Sequence, residues 1–426
     1  MAENVLVIGT YPREHAIAWK LKQSPRVGKV YVAPGNGGTE NVAETVPIGV
    51  MEFEKLAAFA LEKKISLTVV GPENPLGEGI VDYFQAKGLR IWGPTKAAAQ
   101  IESSKAFSKQ LMADANIPTA EFKIFTEHAE ALAYVREKGA PIVIKVDGMV
   151  FGKGAYVCMT MEEAEMALKE IMLDNVHHAA SSKVVIEEFL DGQEISIHAL
   201  SDGETSVIFP TSQDHKTIGE NDTGKMTGGM GAAAPISWVS KENLADIDTR
   251  VVRPALHALA QRGSPLVGML YPGLKMTSKG PKVLEFNARF GCPEAEVYMR
   301  LMKSDVFELF NACVEGTLAD FTIEWNSGFA VTIIIASGGY PDEYKKGFPI
   351  TGIDEAERVP DFVVFHAGTK QASGQLVTDG GRVLSVSATS KTLQEAVERA
   401  YEAVGKIHFE GMYYRRDIGA KALSGK

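Results

Sequence analysis

The first hundred residues alternate strand and helix four times, and each strand runs into a turn built on glycine or proline. Asn4–Ile8 is an apolar strand ending at Gly9, and Pro12 stands where the helix Arg13–Lys22 would begin. Lys29–Ala33 is closed by Pro34-Gly-Asn-Gly-Gly38, and a helix is expected over Glu54–Lys64. Leu67–Val70 is closed by Gly71-Pro-Glu-Asn-Pro75 and followed by a helix over Gly79–Lys87. Arg90–Trp92 then ends at Gly93-Pro94. This alternation predicts a parallel, doubly wound sheet, whose ligands sit beyond the carboxyl ends of its strands. Here those ends are Gly9–His15, Pro34–Asn36 and Gly71–Asn74.

A chain of 426 residues is too long for one ordinary core, so further domains are expected. A helix over Ser104–Ala113 and a turn at Ile117-Pro118 open the second unit. In it, strands are expected at Lys123–Phe125, Pro141–Ile144, Ala155–Met159, Lys183–Leu190 and Glu194–Leu200, with helices at Glu127–Lys138 and Met161–Asp174. Loop-rich residues 210–235 precede a helix at Ala245–Arg262 and strands at Met269–Met276 and Lys282–Phe290. A helix at Val306–Glu315 closes the unit. The last hundred residues carry short strands (Phe329–Ile335, Val363–Phe365, Val383–Ser387) and a helix at Leu393–Ile407. The pattern places boundaries near residues 103 and 326, giving an α/β (α+β) multidomain chain divided as 1–103, 104–326 and 327–426.

Lys282–Phe290 carries the most specific chemistry. At a period of two, Leu284, Phe286, Ala288 and Phe290 form an apolar face, and Val283, Glu285, Asn287 and Arg289 form the other. Glu285 and Asn287 are hard oxygen ligands suited to Mg²⁺, and the Arg289 guanidinium suits phosphate or carboxylate. The same row also fits the solvated face of an antiparallel strand. Lys145 ends an apolar strand and opens a loop with Gly148, Gly152, Lys153 and Gly154, which suits triphosphate binding or a flexible hairpin. It is not a G-x-x-x-x-G-K-[ST] loop. Glu187, Glu188, Phe189 and Leu190 offer a strand end for a purine edge, and Glu194 an acceptor for ribose hydroxyls, or simply solvated acids. Lys105 stands at the start of a helix. Asp214-His-Lys216 and Thr227-Gly-Gly-Met-Gly231 suit a zwitterionic or anionic substrate. His15 sits in a helix's first turn, where anions are favoured.

Several classes are excluded or disfavoured. A net charge of −10 without a basic block argues against nucleic acid as partner. Cys158, Cys292 and Cys313 are odd in number and widely spaced, so neither a disulfide framework nor a zinc site is supported. No apolar run approaches the roughly 20 residues that span a bilayer. No Ser-His-Asp or Cys-His arrangement stands out. A cytoplasmic protein acting on small molecules, monomer or homodimer, is expected.

In order and spacing, a lysine on a helix, a lysine before a glycine flap, a Glu-Glu-Phe-Leu strand and a Glu-x-Asn strand resemble the ATP-grasp ligases. The whole chain resembles the phosphoribosylamine–glycine ligase (glycinamide ribonucleotide synthetase) family. The resemblance rests on Ala33-Pro-Gly-Asn36, Val70-Gly-Pro-Glu73, Gly93-Pro-Thr95, Ser104-Lys105, Gln213-Asp-His-Lys216, Thr227-Gly-Gly-Met-Gly231 and Glu285-Phe-Asn-Ala-Arg-Phe-Gly291. It continues through Phe365-His-Ala-Gly-Thr-Lys370, Gly380-Gly-Arg-Val-Leu384 and Tyr414-Arg-Arg-Asp-Ile-Gly419. It implies an N-terminal α/β domain, an ATP-grasp core with a small lid (about 122–192) and a C-terminal β-rich domain. It implies ATP with Mg²⁺, Mn²⁺ being possible, and a glycyl phosphate attacked by 5-phosphoribosylamine. By position, Glu285 and Asn287 would be the metal ligands. Lys105, Lys145, Lys153, Glu187, Glu188, Phe189, Leu190 and Glu194 would hold the nucleotide. Arg289, Asp214, Lys216 and Lys145 would be catalytic. Arg13, Glu14, Asn36, Glu73, Gly228, Gly229 and Cys292 would lie at the substrates.

The departures from that family cluster. The family's first turn, G-x-G-G-R-E-H, is here Gly9-Thr-Tyr-Pro-Arg-Glu-His15, and Pro12 has no N–H to donate. The flap carries Met149-Val150-Phe151 where the family has Leu-Ala-Ala. Lys225-Met226 replace Pro-Asn, Pro272 replaces a small residue, and Gly-Asp-Pro-Glu-x-Gln becomes Gly291-Cys-Pro-Glu-Ala-Glu296. These changes raise the alternative of a ligase with an altered second substrate. A non-catalytic relic is disfavoured because Lys105, Lys145, Glu285 and Asn287 persist.

Overall fold

The computed structural model describes residues 2–148, 154–176 and 182–425. Its first sheet is wholly parallel. In spatial order its strands are Glu44–Thr45, Val27–Pro34, Glu3–Gly9, Ile65–Val70 and Ile91–Trp92. Val5, Leu6, Val7 and Ile8 are all fully buried, as a strand covered on both faces requires. The helices Pro12–Leu21, Phe53–Glu62 and Ile80–Gln85 follow the expected pattern. The short helix Glu73–Gly77 falls where the sequence pattern had a turn, and Lys96–Ser103 is a helix that the pattern did not mark.

Antiparallel strands Phe122–Phe125, Val184–Glu188, Ile142–Val146 and Ala155–Cys158, in that order, make a second sheet with helices His128–Lys138 and Met161–Met172 and a core of its own. A third sheet holds Gln193–Ser196, Val267–Thr277, Ala199–Asp202 and Ser206–Ile208, with Gly280–Asn287 paired to Val267–Thr277.

Two continuous elements expected here are interrupted. The strand expected over 194–200 breaks after Ser196, where the Ile197 N–H donates to the Pro272 carbonyl (3.2 Å). The helix expected over 245–262 contains a π turn at Asp248–Val252, just ahead of Pro254. Proline has no N–H to continue the ladder and crowds the preceding turn, so the helix widens there.

The fourth sheet joins distant parts of the chain. Gln213–Asp214 and Gly231–Ala234 pair onto Phe329–Ser337, Arg382–Ser390 and Phe362–His366. The sheet therefore crosses residue 326. Helix Glu294–Leu301 is wedged between these pieces, touching helix Pro12–Leu21 and strands Gly231–Ala234, Phe329–Ser337 and Arg382–Ser390. All but one of its residues are buried, and Val297, Tyr298 and Met299 join a core shared by the first and fourth sheets. Beside it Trp92 packs on Phe310 (ring centroids 4.5 Å) and on Phe290 (5.7 Å). Truncating Phe310 to alanine should cost about 3–5 kcal/mol, read as a lowered midpoint in urea unfolding. An unchanged midpoint would show that this cluster does not hold the units together.

Candidate active site

The strand Gly280–Asn287 departs from simple alternation. Gly273 faces Glu285, and Leu274 faces Val283, so Leu284 is an extra residue in a β-bulge. The bulge turns Val283 into the core with Phe286 and Ala288. Leu284 and Glu285 both face a cleft, not opposite sides as alternation had it. The row Glu285–Asn287–Arg289 is accordingly not a freely solvated strand face.

That cleft, about 920 Å³ counted out to its mouth, lies between the second and third sheets. Its walls include Lys145, Glu187, Glu188, Phe189, Leu190 and Glu194, together with Asp214, Lys216 and Glu285. Val143, Val157, Leu190 and Leu284 give it an apolar part wide enough for a flat ring. Lys153 lies outside the described residues, as do Met149, Val150 and Phe151.

At its floor Glu187, 2% exposed, accepts from two buried lysines. Lys109 Nζ is 2.8 Å away and Lys145 Nζ 3.0 Å, and Lys145 also donates to the Leu284 carbonyl at 2.8 Å. Burial lowers the Lys109 pKa to about 8, against the pull of Glu187 and with the help of Lys145. Lys105 Nζ stands 3.8 Å from Glu285 Oε2. Burial opposes the charged form of Glu285, but Lys105, Lys145, Lys216 and Arg289 outweigh it and draw its pKa to about 2.

Past Asn287 the strand end is clamped to the first domain. Arg289 approaches Glu102 (3.1 Å) and Glu73 (3.5 Å) and donates to Asn287 Oδ1 (3.2 Å). Arg13 donates to the Phe290 carbonyl (3.0 Å) and lies 3.9 Å from Glu73. Two guanidiniums thus share one carboxylate, which stays ionised despite its burial.

A second polar group lines the far wall. Lys216 is paired with Asp214 at 2.9 Å and sits 3.4 Å from the Tyr271 hydroxyl. Burial raises the Asp214 pKa to about 6, with Lys216 pulling the other way and Glu294 adding to the rise. Tyr271 and Ser196 both donate to Glu294 (2.5 and 2.7 Å). Gly229, at φ +101°, passes so close that a Cβ would stand 2.7 Å from Asp214 Oδ1.

The first turn is shaped by Glu14, whose carboxylate caps the Tyr11 N–H (2.7 Å) and binds Arg13. A Cβ on Gly71 would stand 2.0 Å from it. Glu14 is fully buried, so its carboxylate serves the turn itself. Asn36 spends its amide donors on the Thr10 and His366 carbonyls (2.9 and 2.8 Å), stitching the first domain to the fourth sheet. His15 accepts the His366 N–H (2.9 Å) and is held neutral by burial, its pKa near 3. Arg382 comes from the fourth sheet and donates to the carbonyls of Gly228 and Cys292 (3.0 Å for the latter). Its guanidinium lies 5.6 Å from the Tyr11 ring.

Sequence reasoning missed Lys109, Tyr271, Glu294, Glu102 and Arg382. Lys109 had a readable signal: it lies one helical turn after Lys105, on the same face. Arg382 had only its place in Gly380-Gly-Arg-Val-Leu384, and only the tertiary fold brings it near Cys292.

Among the described residues no group of three or more His, Cys, Asp or Glu could hold a metal ion by itself. The pair Glu285 and Asn287 instead fits a divalent ion that takes one or two protein oxygens and fills its shell with phosphates and water. A parallel α/β domain leading into a cleft with paired lysines and a Glu-x-Asn strand end defines the ATP-grasp class. Three family models match the chain: Phosphoribosylglycinamide synthetase N domain over residues 3–102, ATP-grasp (A) domain over 103–295 and C domain over 330–421. The chain belongs to the phosphoribosylglycinamide synthetase family. It is 48% identical over 423 residues to a phosphoribosylamine–glycine ligase of Vibrio cholerae (99% of this chain, 98% of the relative). It is 50% identical over 423 residues to that of an Escherichia coli O6:H1 strain, covering 98% of each. A crystal structure of the Thermotoga maritima phosphoribosylamine–glycine ligase superposes with TM-score 0.84 at 32% identity, over 97% of this chain and 100% of that one. The biotin carboxylase domain of a Hydrogenobacter thermophilus 2-oxoglutarate carboxylase shares the fold at 17% identity, with TM-score 0.74 over 97% of this chain and 92% of that one.

Replacing Glu187 by glutamine leaves two buried lysines with no counter-ion. The loss should be about 3–5 kcal/mol of stability, as for a broken buried pair, together with weakened nucleotide binding, read by thermal unfolding with and without ATP. A melt unaltered by the change, with ATP protection intact, would contradict the charge balance described here.

Proposed function

We propose that the chain is an ATP-dependent carboxylate–amine ligase that joins glycine to 5-phosphoribosylamine, giving glycinamide ribonucleotide, ADP and phosphate. The observation that carries this reading is the convergence of Lys145, Lys216 and Glu285 on one cleft, with Lys105 3.8 Å from Glu285, in a chain of this family. The γ-phosphoryl group passes to the glycine carboxylate. The amine then attacks the acyl carbon, the C–N bond forms, and the C–O bond to phosphate breaks with its electrons leaving on phosphate, which also takes up the proton lost by the amine.

Each side chain has a task in that sequence. Lys145 spends hydrogen bonds on Glu187 and Leu284 and keeps one N–H for a phosphate oxygen, while Lys105, and Lys153 on the flap, add positive charge. Glu187 to Leu190 and Glu194 hold adenosine against Val143 and Val157. Glu285 and Asn287 would hold Mg²⁺, or Mn²⁺, which when bound neutralises the transferring phosphoryl group. Arg289, Asp214 and Lys216 orient the carboxylate and the acyl phosphate. Arg13, Glu73, Gly228, Gly229 and Cys292 border the amine side, with Glu14 and Asn36 shaping it from behind. The three free cysteines suit a reducing, cytoplasmic setting, as monomer or homodimer. Among the described residues no helix is long and apolar enough to cross a membrane.

ADP release should require both glycine and 5-phosphoribosylamine. Robust release with glycine and a different amine, but none with phosphoribosylamine, would overturn the reading. Glu285→Ala should abolish metal-dependent turnover with only a modest shift of the melting curve, because its side chain is 34% exposed at the cleft; retained turnover would move the metal elsewhere. Asp214, with a pKa near 6, must be ionised to pair with Lys216, so kcat/KM should fall as pH drops through about 6. A profile flat from pH 5 to pH 7 would remove Asp214 from that role.

A further inference from the structure

Tyr271 and Glu294 have no part in those steps, yet they stand directly behind Lys216. Glu294 is 1% exposed, in the first turn of helix Glu294–Leu301. Its Oε1 accepts from the hydroxyls of Tyr271 (2.5 Å) and Ser196 (2.7 Å), and its Oε2 has no hydrogen-bond partner among the described residues. Tyr271 and Ser196 line the cleft beside Asp214, Lys216 and Glu285. A buried carboxylate thus reaches the cleft through two hydroxyls.

The protons can be followed outward from that carboxylate. A phenol has one proton, and Tyr271 gives it to Glu294 in a short, charge-assisted bond. Its lone pairs are left to face Lys216 Nζ, 3.4 Å away. An ammonium has three N–H groups. Lys216 gives one to Asp214 (2.9 Å) and one to Tyr271, so one remains for a ligand in the cleft. The Tyr271 ring is held as well, stacked on His198 with centroids 4.2 Å apart and 18° between planes. His198 accepts the Gly291 N–H at Nε2 (3.0 Å), so its Nδ1 carries the proton and donates to the Tyr298 hydroxyl (3.2 Å). Tyr298 turns its own proton to the Pro210 carbonyl (3.0 Å) or to Ser212 Oγ (2.8 Å). The phenol is therefore fixed both in position and in the direction of its proton.

We propose that Tyr271 and Glu294 are positioning residues for the ligation. Glu294 turns the Tyr271 hydroxyl into an acceptor, and that acceptor aims the free N–H of Lys216 at the substrate carboxylate and acyl phosphate. This rests on the ligase reading above. Tyr271 does not serve as an acid, because burial and Glu294 hold its phenol well above the ordinary range. Burial opposes the charge on Lys216, but Asp214, Tyr271 and Glu294 outweigh it and keep the ammonium protonated.

The same carboxylate acts on Asp214. Lys216 and Tyr271 face Asp214 in the cleft, Glu294 faces it from helix Glu294–Leu301, and Arg382 from strand Arg382–Ser390. Strand Gly231–Ala234 brings no titratable side chain, and on Gln193–Ser196 the one such group, Glu194, is paired with Lys275 (3.2 Å). His215 is turned to the Gly231 carbonyl and the Gly419 N–H. Glu294 is thus the one carboxylate among these that raises the Asp214 pKa, and removing its charge lowers that pKa.

The test uses Y271F, E294Q and the double variant in the full-length protein. At pH 8, Y271F should lower kcat/KM for glycine roughly tenfold or more, with the KM for ATP within about twofold of wild type. E294Q should show the same split, and the double variant should match the poorer single one, since both break one relay. A Y271F enzyme within about twofold of wild type, or a double variant that loses the product of the two single losses, overturns the proposal. In E294Q the fall of kcat/KM in acid should also move at least about half a pH unit lower. A purely structural loss leaves that limb in place, so an unmoved limb overturns the relay. Y271F keeps the ring and its stack on His198, and decides the question if E294Q does not fold.

A last arm needs no turnover. Without its acceptor the Lys216 ammonium is less favoured. Its acetylation by acetic anhydride at pH 8, read by peptide mass spectrometry against exposed Lys241, should be about threefold faster or more in Y271F, equivalent to half a pKa unit. An unchanged rate overturns the hold on Lys216. Wild-type protein inactive with glycine and phosphoribosylamine defeats the ligase reading, and acetylation then still decides that hold. An active wild type with Y271F unaltered defeats the positioning role alone.

Discussion

Two lysines and one carboxylate at the floor of the cleft set the terms for everything above them. Lys109 comes from the core helix Lys105–Asp114, Lys145 and Glu187 from neighbouring strands of the second sheet. A buried ammonium is costly without a partner, and a single carboxylate satisfies both only when sheet and helix are held in one arrangement. Glu187 therefore does more than balance charge. It fixes the base of the lid-like sheet against the core, and so fixes the position of Lys145 over the cleft. The net positive charge left over is what a polyphosphate would neutralise.

The opposite wall is fixed by a different device. Arg289 and Arg13 converge on Glu73, and Glu102 takes the remaining side of Arg289. This ties the end of the Glu285–Asn287 strand to the carboxyl edge of the parallel sheet, the place where such sheets hold ligands. The first domain, the third sheet and the fourth sheet then share helix Glu294–Leu301 as a common wedge. The cleft-lining Glu285 and the joint at Cys292 consequently hang on one strand end, braced at Arg289. Catalysis by positioning requires such rigidity, since little covalent chemistry is asked of the side chains.

Much of this was legible in the sequence. The parallel sheet followed from its strand–helix alternation, because each strand is buried on both faces and each turn carries its own breaker. Of the residues expected around a nucleotide, Lys145, Glu187 to Leu190 and Glu194 line one cleft; Lys105 reaches it only beside Glu285, and Lys153 is not described. Alternation failed at Leu284, where a bulge inserts one residue and turns Val283 inward; no local composition marks a bulge of this kind. It also failed at Ile197, which gives its N–H to Pro272 from another strand. Lys109 was overlooked because a lysine between polar neighbours reads as surface, and only burial against Glu187 reveals its role. Asn36 and Glu14 were expected at the substrate, yet their hydrogen bonds are taken up within the protein. Pattern shows that such residues are needed, not which partner uses them.

The departures from the family pattern carry a last physical point. Near-half identity over the whole length places the chain with phosphoribosylamine–glycine ligases and weighs against an altered second substrate. Three of the exchanged residues share neighbours. Pro12 gives up an N–H at a helix N1 position where proline's fixed φ is favourable, and Glu14 takes the Tyr11 N–H beside it. The Tyr11 ring in turn lies against the Arg382 guanidinium, which already braces Cys292. Cys292 meets Glu296. Tyr11, Pro12 and Cys292 thus meet at one joint around Arg382, whereas Met226 and Pro272 lie elsewhere. These contacts hold Tyr11, Arg382 and Cys292 in one arrangement where the first domain meets the fourth sheet.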